Sequence, residues 1–156
     1  MGAFTSTVLG DAPGIDAGEV IASKPNNVEA YGVFEEGVTV GRFVKFDAGS
    51  IDKLDASVTP VIAGVVRRKT NRVLGDVDYN AVQDQVVEVV DFGHVTVTVT
   101  AGAAPTRWAP VYVSNTLDAE SGKATQVVGT NLLVAGAVFW EQIKTGVWVV
   151  RLKNYL

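Results

Sequence analysis

Apolar and polar residues alternate with a period of two in several short segments of the chain. In residues 38–46 the even positions are apolar except Arg42, and residues 94–100 alternate valine with threonine after a leading histidine. Successive side chains of a β-strand point to opposite faces, so this period predicts strands with one buried face. Gly93, just before the second segment, predicts a bulge where the register changes.

Further strands are predicted where apolar runs lie between turn signals. Clusters of glycine, asparagine, aspartate and proline separate these runs, and no segment carries a helical stripe longer than about one turn. The additional predicted strands are residues 61–66, 86–90, 108–113, 124–128, 132–140 and 147–153. About eight short strands at this spacing are typical of an all-β fold, either a jelly-roll-like β-sandwich or a small β-barrel.

The last predicted strand, residues 147–153, also assigns side chains to faces. Its alternation places Trp148, Val150 and Leu152 on the inward face. The outward face would then carry Val147 and Val149, followed by the basic residues at 151 and 153.

The first 30 residues lack a clean period. Glycine and proline interrupt them, yet apolar residues recur every few positions, more often than in a disordered tail. We therefore predict an extended N-terminal arm over residues 1–30, ordered by lying on its own body or on a neighbouring chain, and a β domain over residues 31–156. A frayed terminus is the alternative. The apolar residues expected to anchor the arm are Phe4, Val8, Leu9 and Ile15.

Composition supports the all-β prediction and excludes several kinds of catalytic and metal-binding chemistry. The 156 residues are 47% apolar and include 30 valines, and β-branched side chains favour strands over helices. The chain has no cysteine and a single histidine, which excludes disulfides, thiolate catalysis and multi-histidine or cysteine-ligated metal sites. No apolar run approaches the ~20 residues of a membrane helix. We expect no cofactor and no membrane partner.

Charge is distributed unevenly along the chain. A net charge of −4 argues against a general nucleic-acid binder. Residues 1–40 hold six acidic side chains and one basic one, so the acidity belongs to the N-terminal quarter. A basic cluster contains Arg67, Arg68 and Arg72 without interleaved aromatic residues. We interpret it as a contact for an acidic protein surface, such as the arm of a sister subunit; a solvated loop is the alternative.

Candidate catalytic groups are few. His94 is the only usual general base near neutral pH, and it shares a predicted strand face with Thr96 and Thr98. Nothing in the sequence forms a nucleophile elbow. A solvated or hydrogen-bonded strand histidine is therefore favoured over a hydrolase site.

Four aromatic residues are candidates for surface contacts. Trp108 lies between two prolines at a predicted strand entry, which makes it the best candidate among the four for an exposed anchor, although core packing is the more common role of such a residue. Together with Tyr112, Trp140 and Trp148 it could also line a sugar-binding face.

Several short motifs follow one another in an order that resembles that of a known protein family. In chain order these motifs are GVTVGRFVK at 37–45, VIAGVVRR at 61–68, residues 86–99, APVYV at 109–113, GKAT at 122–125, GAVF at 136–139 and GVWVVRL at 146–152. Over about residues 30–153 the order resembles that of the structural cement, or decoration, proteins of tailed-bacteriophage capsids. The likeness rests on strand order and small motifs, with no catalytic signature.

This resemblance implies a non-enzymatic, jelly-roll-like protein on the outer surface of the virion. Such proteins bind across neighbouring major capsid protein subunits and hold them against internal DNA pressure. The resemblance also implies a homo-oligomer, for which we favour a dimer over a trimer, and it carries over no active site. The residues we predict at protein interfaces are Phe4, Val8, Leu9, Ile15, Arg67, Arg68, Arg72 and Trp108.

Two other functions remain open at this point. The chain could be a carbohydrate- or receptor-binding β module of a phage fibre or baseplate, using its aromatic residues. It could also be a small β-fold hydrolase that uses His94.

Overall fold

The fold consists of β-strands joined by turns. A computed structural model describes residues 17–21, 23–34, 37–68, 80–81 and 86–153, and within them it contains no helix. The strands are β1 (Asn27–Gly32), β2 (Val38–Thr39), β3 (Phe43–Asp47), β4 (Ser50–Lys53), β5 (Ile62–Val66), β6 (Asn80–Ala81), β7 (Val86–Thr98), β8 (Pro110–Val113), β9 (Ala124–Thr125), β10 (Leu132–Lys144) and β11 (Val147–Leu152). The all-β prediction is confirmed.

The strands form a curled antiparallel sheet. Its order is β4-β3-β5-β7-β11-β10-β8-β9, β1 also pairs with β7, and β2 pairs separately with β6. Isolated bridges join Val33 to Ile51 and Val99 to Ala124, so both ends of the sheet curl back towards its centre. Curling covers strand edges that would otherwise expose unpaired backbone groups. The result is a half-barrel, consistent with the predicted small barrel or sandwich.

β7 is the central strand of the sheet. Its first part pairs with β1 and β5, and its second part pairs with β11. Gly93 lies between these parts with φ +112°, and a Cβ there would lie 2.7 Å from the Cβ of Asn26. Only glycine fits this position. The register of β1 shifts between Asn27 and Val28, which leaves Asp91 as the extra residue. The register change predicted at Gly93 therefore occurs two residues earlier, at Asp91.

Two groups of buried side chains fill the curled sheet, and valine dominates both. The first contains Val33, Val38, Val40, Val44, Ile51, Ala63, Val66, Val87 and Val89. The second includes Phe43, Leu54, Val95, Val97, Val111, Val113, Phe139, Trp148, Val150 and Leu152. Burying each valine-sized or larger side chain contributes about 1.5–3 kcal/mol of transfer free energy, so these two cores hold the sheet in its curled form.

The facing prediction for β11 is correct except for two valines. Trp148, Val150 and Leu152 are buried as predicted. Val147 and Val149, predicted to face outward, are also buried, with exposed fractions of 9% and 3%. The reason is the position of the strand: β11 lies between β7 and β10, so its side chains have cross-strand neighbours on both sides, Thr96 and Glu141 in the case of Val149.

Residues 17–21, which we call the strap, run along the edge of β7 opposite β11. The Gly18 amide donates to the Thr96 carbonyl (2.7 Å), and the Thr96 amide donates to the Glu19 carbonyl (2.9 Å). The Ile21 amide donates to the His94 carbonyl (2.9 Å). The strap therefore extends the sheet, although it belongs to the predicted arm. The arm boundary at residue 30 stays a prediction.

The strap lies very close to the body of the protein. A Cβ on Gly41 would lie 2.1 Å from the Ala17 Cβ, and a Cβ on Gly18 would lie 2.5 Å from a Val40 methyl. Both glycines also have positive φ, +76° and +88°. Two glycines are thus needed where the strap crosses the body.

Candidate functional site

Two tryptophans, two arginines and a histidine meet at the surface where β7, β10 and β11 approach the turn before β8. We call this group the tryptophan–arginine cluster. Its members are His94 on β7, Arg107 and Trp108 in the turn, Trp140 on β10 and Arg151 on β11. Trp108 and Arg107 are exposed, and the other three are half-buried.

The backbone holds Trp108 in a conformation that is unusual for a large side chain. Its φ is +72°, and the turn is closed by the Ala109 amide donating to the Thr106 carbonyl (3.1 Å). The Trp108 amide also donates to the Phe139 carbonyl (2.8 Å), which fixes the turn on β10. Turns with positive φ at the third residue normally carry glycine there. Such strained residues concentrate at functional sites.

The three aromatic rings of the cluster meet edge to face. The centroids of Trp108 and Trp140 are 4.9 Å apart with an interplanar angle of 76°, and those of His94 and Trp140 are 5.1 Å apart at 87°. These are favourable aromatic geometries, worth about 0.5–1.5 kcal/mol per pair. Although packed in this way, Trp108 remains 52% exposed.

Both arginines contact both indole rings. The Arg107 guanidinium carbon lies 4.8 Å from the Trp140 centroid and 5.4 Å from that of Trp108. For Arg151 the distances are 5.2 Å to Trp108 and 5.7 Å to Trp140. A cation within about 6 Å of an indole centroid is attracted by the ring quadrupole. The rings therefore hold two positive charges at the surface.

The cluster has cationic groups without anionic partners. In the part of the chain that the structure describes, no carboxylate forms an ion pair with Arg107 or Arg151. Both ring nitrogens of His94 and the Arg151 Nε are buried and, among the same residues, lack a hydrogen-bond partner. Burial lowers the pKa of His94, and the charges of Lys24 and Arg151 lower it further. His94 is therefore harder to protonate than an exposed histidine.

The predicted basic cluster contacts the protein's own chain. Arg67 forms an ion pair with Glu88 (2.9 Å). The Arg68 backbone amide donates to the Gly18 carbonyl (2.8 Å), and its Nε donates to the Ala17 carbonyl (3.4 Å). Arg68 thus holds the strap, and the interface role of both arginines stays a prediction. The other predicted interface residues that lie outside the described residues are Phe4, Val8, Leu9, Ile15 and Arg72.

A second surface feature is an open cleft of about 540 Å³ between β5 and β10, lined by apolar side chains together with Asp91 and Lys153. Phe46 and Leu133 line it and are 40% and 55% exposed. Exposed apolar surface of this kind often marks a protein contact.

Comparison with known proteins identifies the family. The model of the XM1 gp53 minor capsid protein family matches residues 4–154. The chain belongs to this family. A chain of a solved structure, "The capsid of Myoviridae Phage XM1", is 50% identical, superposes with a TM-score of 0.83 and is matched over 99% of both chains. No curated protein matches. The sequence-based resemblance to phage capsid proteins is confirmed, and this is a minor capsid protein of a bacteriophage.

Sequence reasoning found part of the site in this minor capsid protein. Trp108 is exposed, as expected of an anchor, and Trp140 lies beside it. Trp148, another candidate for a sugar-binding face, is instead buried against Phe139 at 5.7 Å. Arg107 and Arg151 were missed. The available signals were the direct adjacency of Arg107 to Trp108 and the outward position of Arg151 in its strand.

The residues that the structure describes lack a cluster of metal-ligating side chains and a membrane-spanning helix. They contain no group of three or more histidine, aspartate or glutamate side chains placed to hold a metal ion. They also contain no helix long and apolar enough to cross a bilayer.

Proposed function

We propose that this minor capsid protein is a non-enzymatic cement protein that binds across neighbouring major capsid protein subunits on the outer surface of the head. The observation that carries the proposal is the family match over residues 4–154, together with 50% identity to a capsid chain along nearly the whole length. Similarity that extends over the entire chain favours a shared structural role.

The surface chemistry supports a role in protein contact. The chain exposes Trp108 beside two arginines, and it exposes apolar side chains along the cleft between β5 and β10. Tryptophan and arginine are enriched among the residues that dominate protein interfaces. An interface of ordinary size buries ~1,600 Å² without any chemical step. Attachment as a homo-oligomer, for which we favour a dimer, would strengthen binding through multivalency.

Adding the purified protein back to heads that lack it tests this function. Heads are purified from a phage with the gene deleted, and the protein is titrated onto them. We expect saturable binding, density on the outer surface over the junction between major capsid subunits in cryo-EM maps, and a higher temperature of DNA release. Density confined to the tail or the inner wall, or saturation without any change in DNA release, contradicts the proposal.

The geometry gives less support to the two other functions. A sugar-binding face needs open indole faces, and here the rings of Trp108 and Trp140 meet at 76° with guanidinium groups of Arg107 and Arg151 against them. A hydrolase would need a partner for His94, and among the described residues neither ring nitrogen has one. A glycan array probed with the wild type and Trp108→Ala tests the sugar-binding function. Glycan binding that Trp108→Ala loses would support that function, whereas a cement protein requires no glycan binding.

A further inference from the structure

Three unusual features coincide at the tryptophan–arginine cluster. A half-exposed tryptophan has positive φ, two guanidinium groups have no carboxylate partner among the described residues, and the Arg151 Nε is buried without an acceptor there. The positive φ and the buried, unpaired Nε each cost free energy in the isolated protein, and the two guanidinium groups leave positive charge without a counter-charge from the described residues. Their coincidence at one surface position indicates that the group is built for contact with another molecule.

The charges define what that molecule must supply. Arg107 and Arg151 lie within 4.8 Å and 5.7 Å of the same Trp140 centroid. Their guanidinium groups are therefore separated by no more than about one Debye length at 0.1 M salt, ~10 Å, so they repel each other. A carboxylate placed between them would relieve this repulsion and form charge-assisted hydrogen bonds to both.

Three other cationic side chains, unlike those of the cluster, have carboxylate partners within the described residues. Lys45 pairs with Asp55 at 2.8 Å, Arg67 with Glu88 at 2.9 Å and Lys123 with Glu120 at 2.7 Å. The fold thus provides carboxylates for these cations from its own chain. At the tryptophan–arginine cluster the described chain provides indole rings instead.

We propose that the cluster is the docking site for an acidic segment of the capsid protein on which this chain sits. An aspartate or glutamate carboxylate of that segment binds between Arg107 and Arg151, and Trp108 packs against the apolar part of the same segment. This inference rests on the proposed function and names the chemistry of its partner. One local carboxylate is enough to pair with the two guanidinium groups, whereas nucleic acid carries a negative charge at every nucleotide and would be repelled along its length by a chain of net charge −4.

Charge-removing variants test the docking site on the gene-deleted heads described above. Arg107→Gln and Arg151→Gln each remove one cation, and Lys144→Gln removes an exposed cation outside the cluster as the matched control. We expect each arginine variant to bind at least tenfold more weakly, a typical effect of removing one member of an interfacial charge pair. The control should bind within about twofold of wild type. The loss should shrink as salt is raised from 50 to 300 mM, because screening weakens the pair in the wild type.

Trp108→Gly tests the apolar half of the contact without backbone strain. Glycine adopts φ +72° freely, so the variant should fold, as checked by circular dichroism and thermal unfolding. We expect its affinity for the heads to fall at least tenfold, as for a central tryptophan of an interface.

The outcomes separate this inference from the function on which it rests. If the wild type binds heads and all three cluster variants bind as tightly as Lys144→Gln, the docking site is wrong and the cement role stands. If the wild type does not bind heads, both are wrong. A cryo-EM map of reconstituted heads gives a direct check: a glutamate or aspartate of the capsid protein beside Arg107 supports the inference. Solvent, sugar or nucleic-acid density at that position overturns it.

Discussion

Replacing Gly41 by alanine tests whether close packing of two glycines holds the strap. The new Cβ would lie 2.1 Å from the Ala17 Cβ, against the 3.5–4.0 Å of an ordinary carbon contact, so the strap must move away. The residue would also keep φ +76°, which costs an L-amino acid roughly 1–2 kcal/mol.

Moving the strap breaks backbone hydrogen bonds. The bonds at risk join Gly18 to the Thr96 carbonyl, Thr96 to the Glu19 carbonyl and Arg68 to the Gly18 carbonyl, at 2.7, 2.9 and 2.8 Å. At about 0.5–1.5 kcal/mol each, their loss costs roughly 2–4 kcal/mol. With the backbone cost, we expect Gly41→Ala to lower the free energy of unfolding by about 3–6 kcal/mol.

Gly102→Ala is the matched control. Gly102 has φ +73°, and a Cβ there would meet nothing within 4 Å. The control therefore carries the backbone cost alone, about 1–2 kcal/mol. Urea unfolding followed by tryptophan fluorescence measures both variants, and hydrogen exchange reports the amides of Thr96 and Arg68. Equal destabilisation of the two variants, or unchanged protection of both amides in Gly41→Ala, would refute the reasoning.

Three further predictions concern the strap, the Lys45–Asp55 ion pair and the strained turn. Removing residues 1–21 should cost about 2–4 kcal/mol more in unfolding free energy than removing residues 1–16, because only the longer deletion removes the strap; equal urea midpoints for the two truncations would contradict this. Hydrogen bonds from Lys45 and Ser57 hold the pKa of Asp55 below its ordinary 3.8. The stabilisation they give is complete above the unfolded-state pKa and is lost as the pH falls through the folded-state value, so the stability difference between wild type and Asp55→Asn should shrink below about pH 4. A difference that stays constant from pH 6 to pH 2 in urea titrations would exclude this linkage. Trp108→Gly should melt about 2–8 °C above Trp108→Ala, since both lose the ring and only alanine carries a strain of about 1–2 kcal/mol at φ +72°. The opposite order would show that the turn relaxes.

Period-two alternation predicted most of the sheet, because a strand with one buried face carries apolar residues at every second position. It could not predict that Val147 and Val149 are buried, because valine is compatible with either face and β7, one of the two strands that flank β11, comes from a distant part of the chain. The strap was missed as a sheet element for a related reason. Its backbone pairs with β7, and backbone hydrogen bonds require no particular side-chain pattern.

The candidate site was only partly predictable. Flanking prolines singled out Trp108, and adjacency could have added Arg107. Arg151 and Trp140 join them through the pairing of β11 and β10, whose register shifts twice along its length. Register depends on the assembled sheet, so the sequence alone does not show which side chains of the two strands become neighbours. The positive φ of Trp108 could not be predicted either, because the local sequence does not show that tryptophan occupies a turn position usually held by glycine.

Because β7 runs without a break through the sheet, it determines how the protein unfolds. Valines of this strand lie in both hydrophobic groups, Val87 and Val89 in the first and Val95 and Val97 in the second. Melting either group must displace the strand that the other depends on, so the molecule behaves as a single foldon. A heated or protease-treated population should therefore contain intact copies and fully denatured ones, with no half-folded species that lingers.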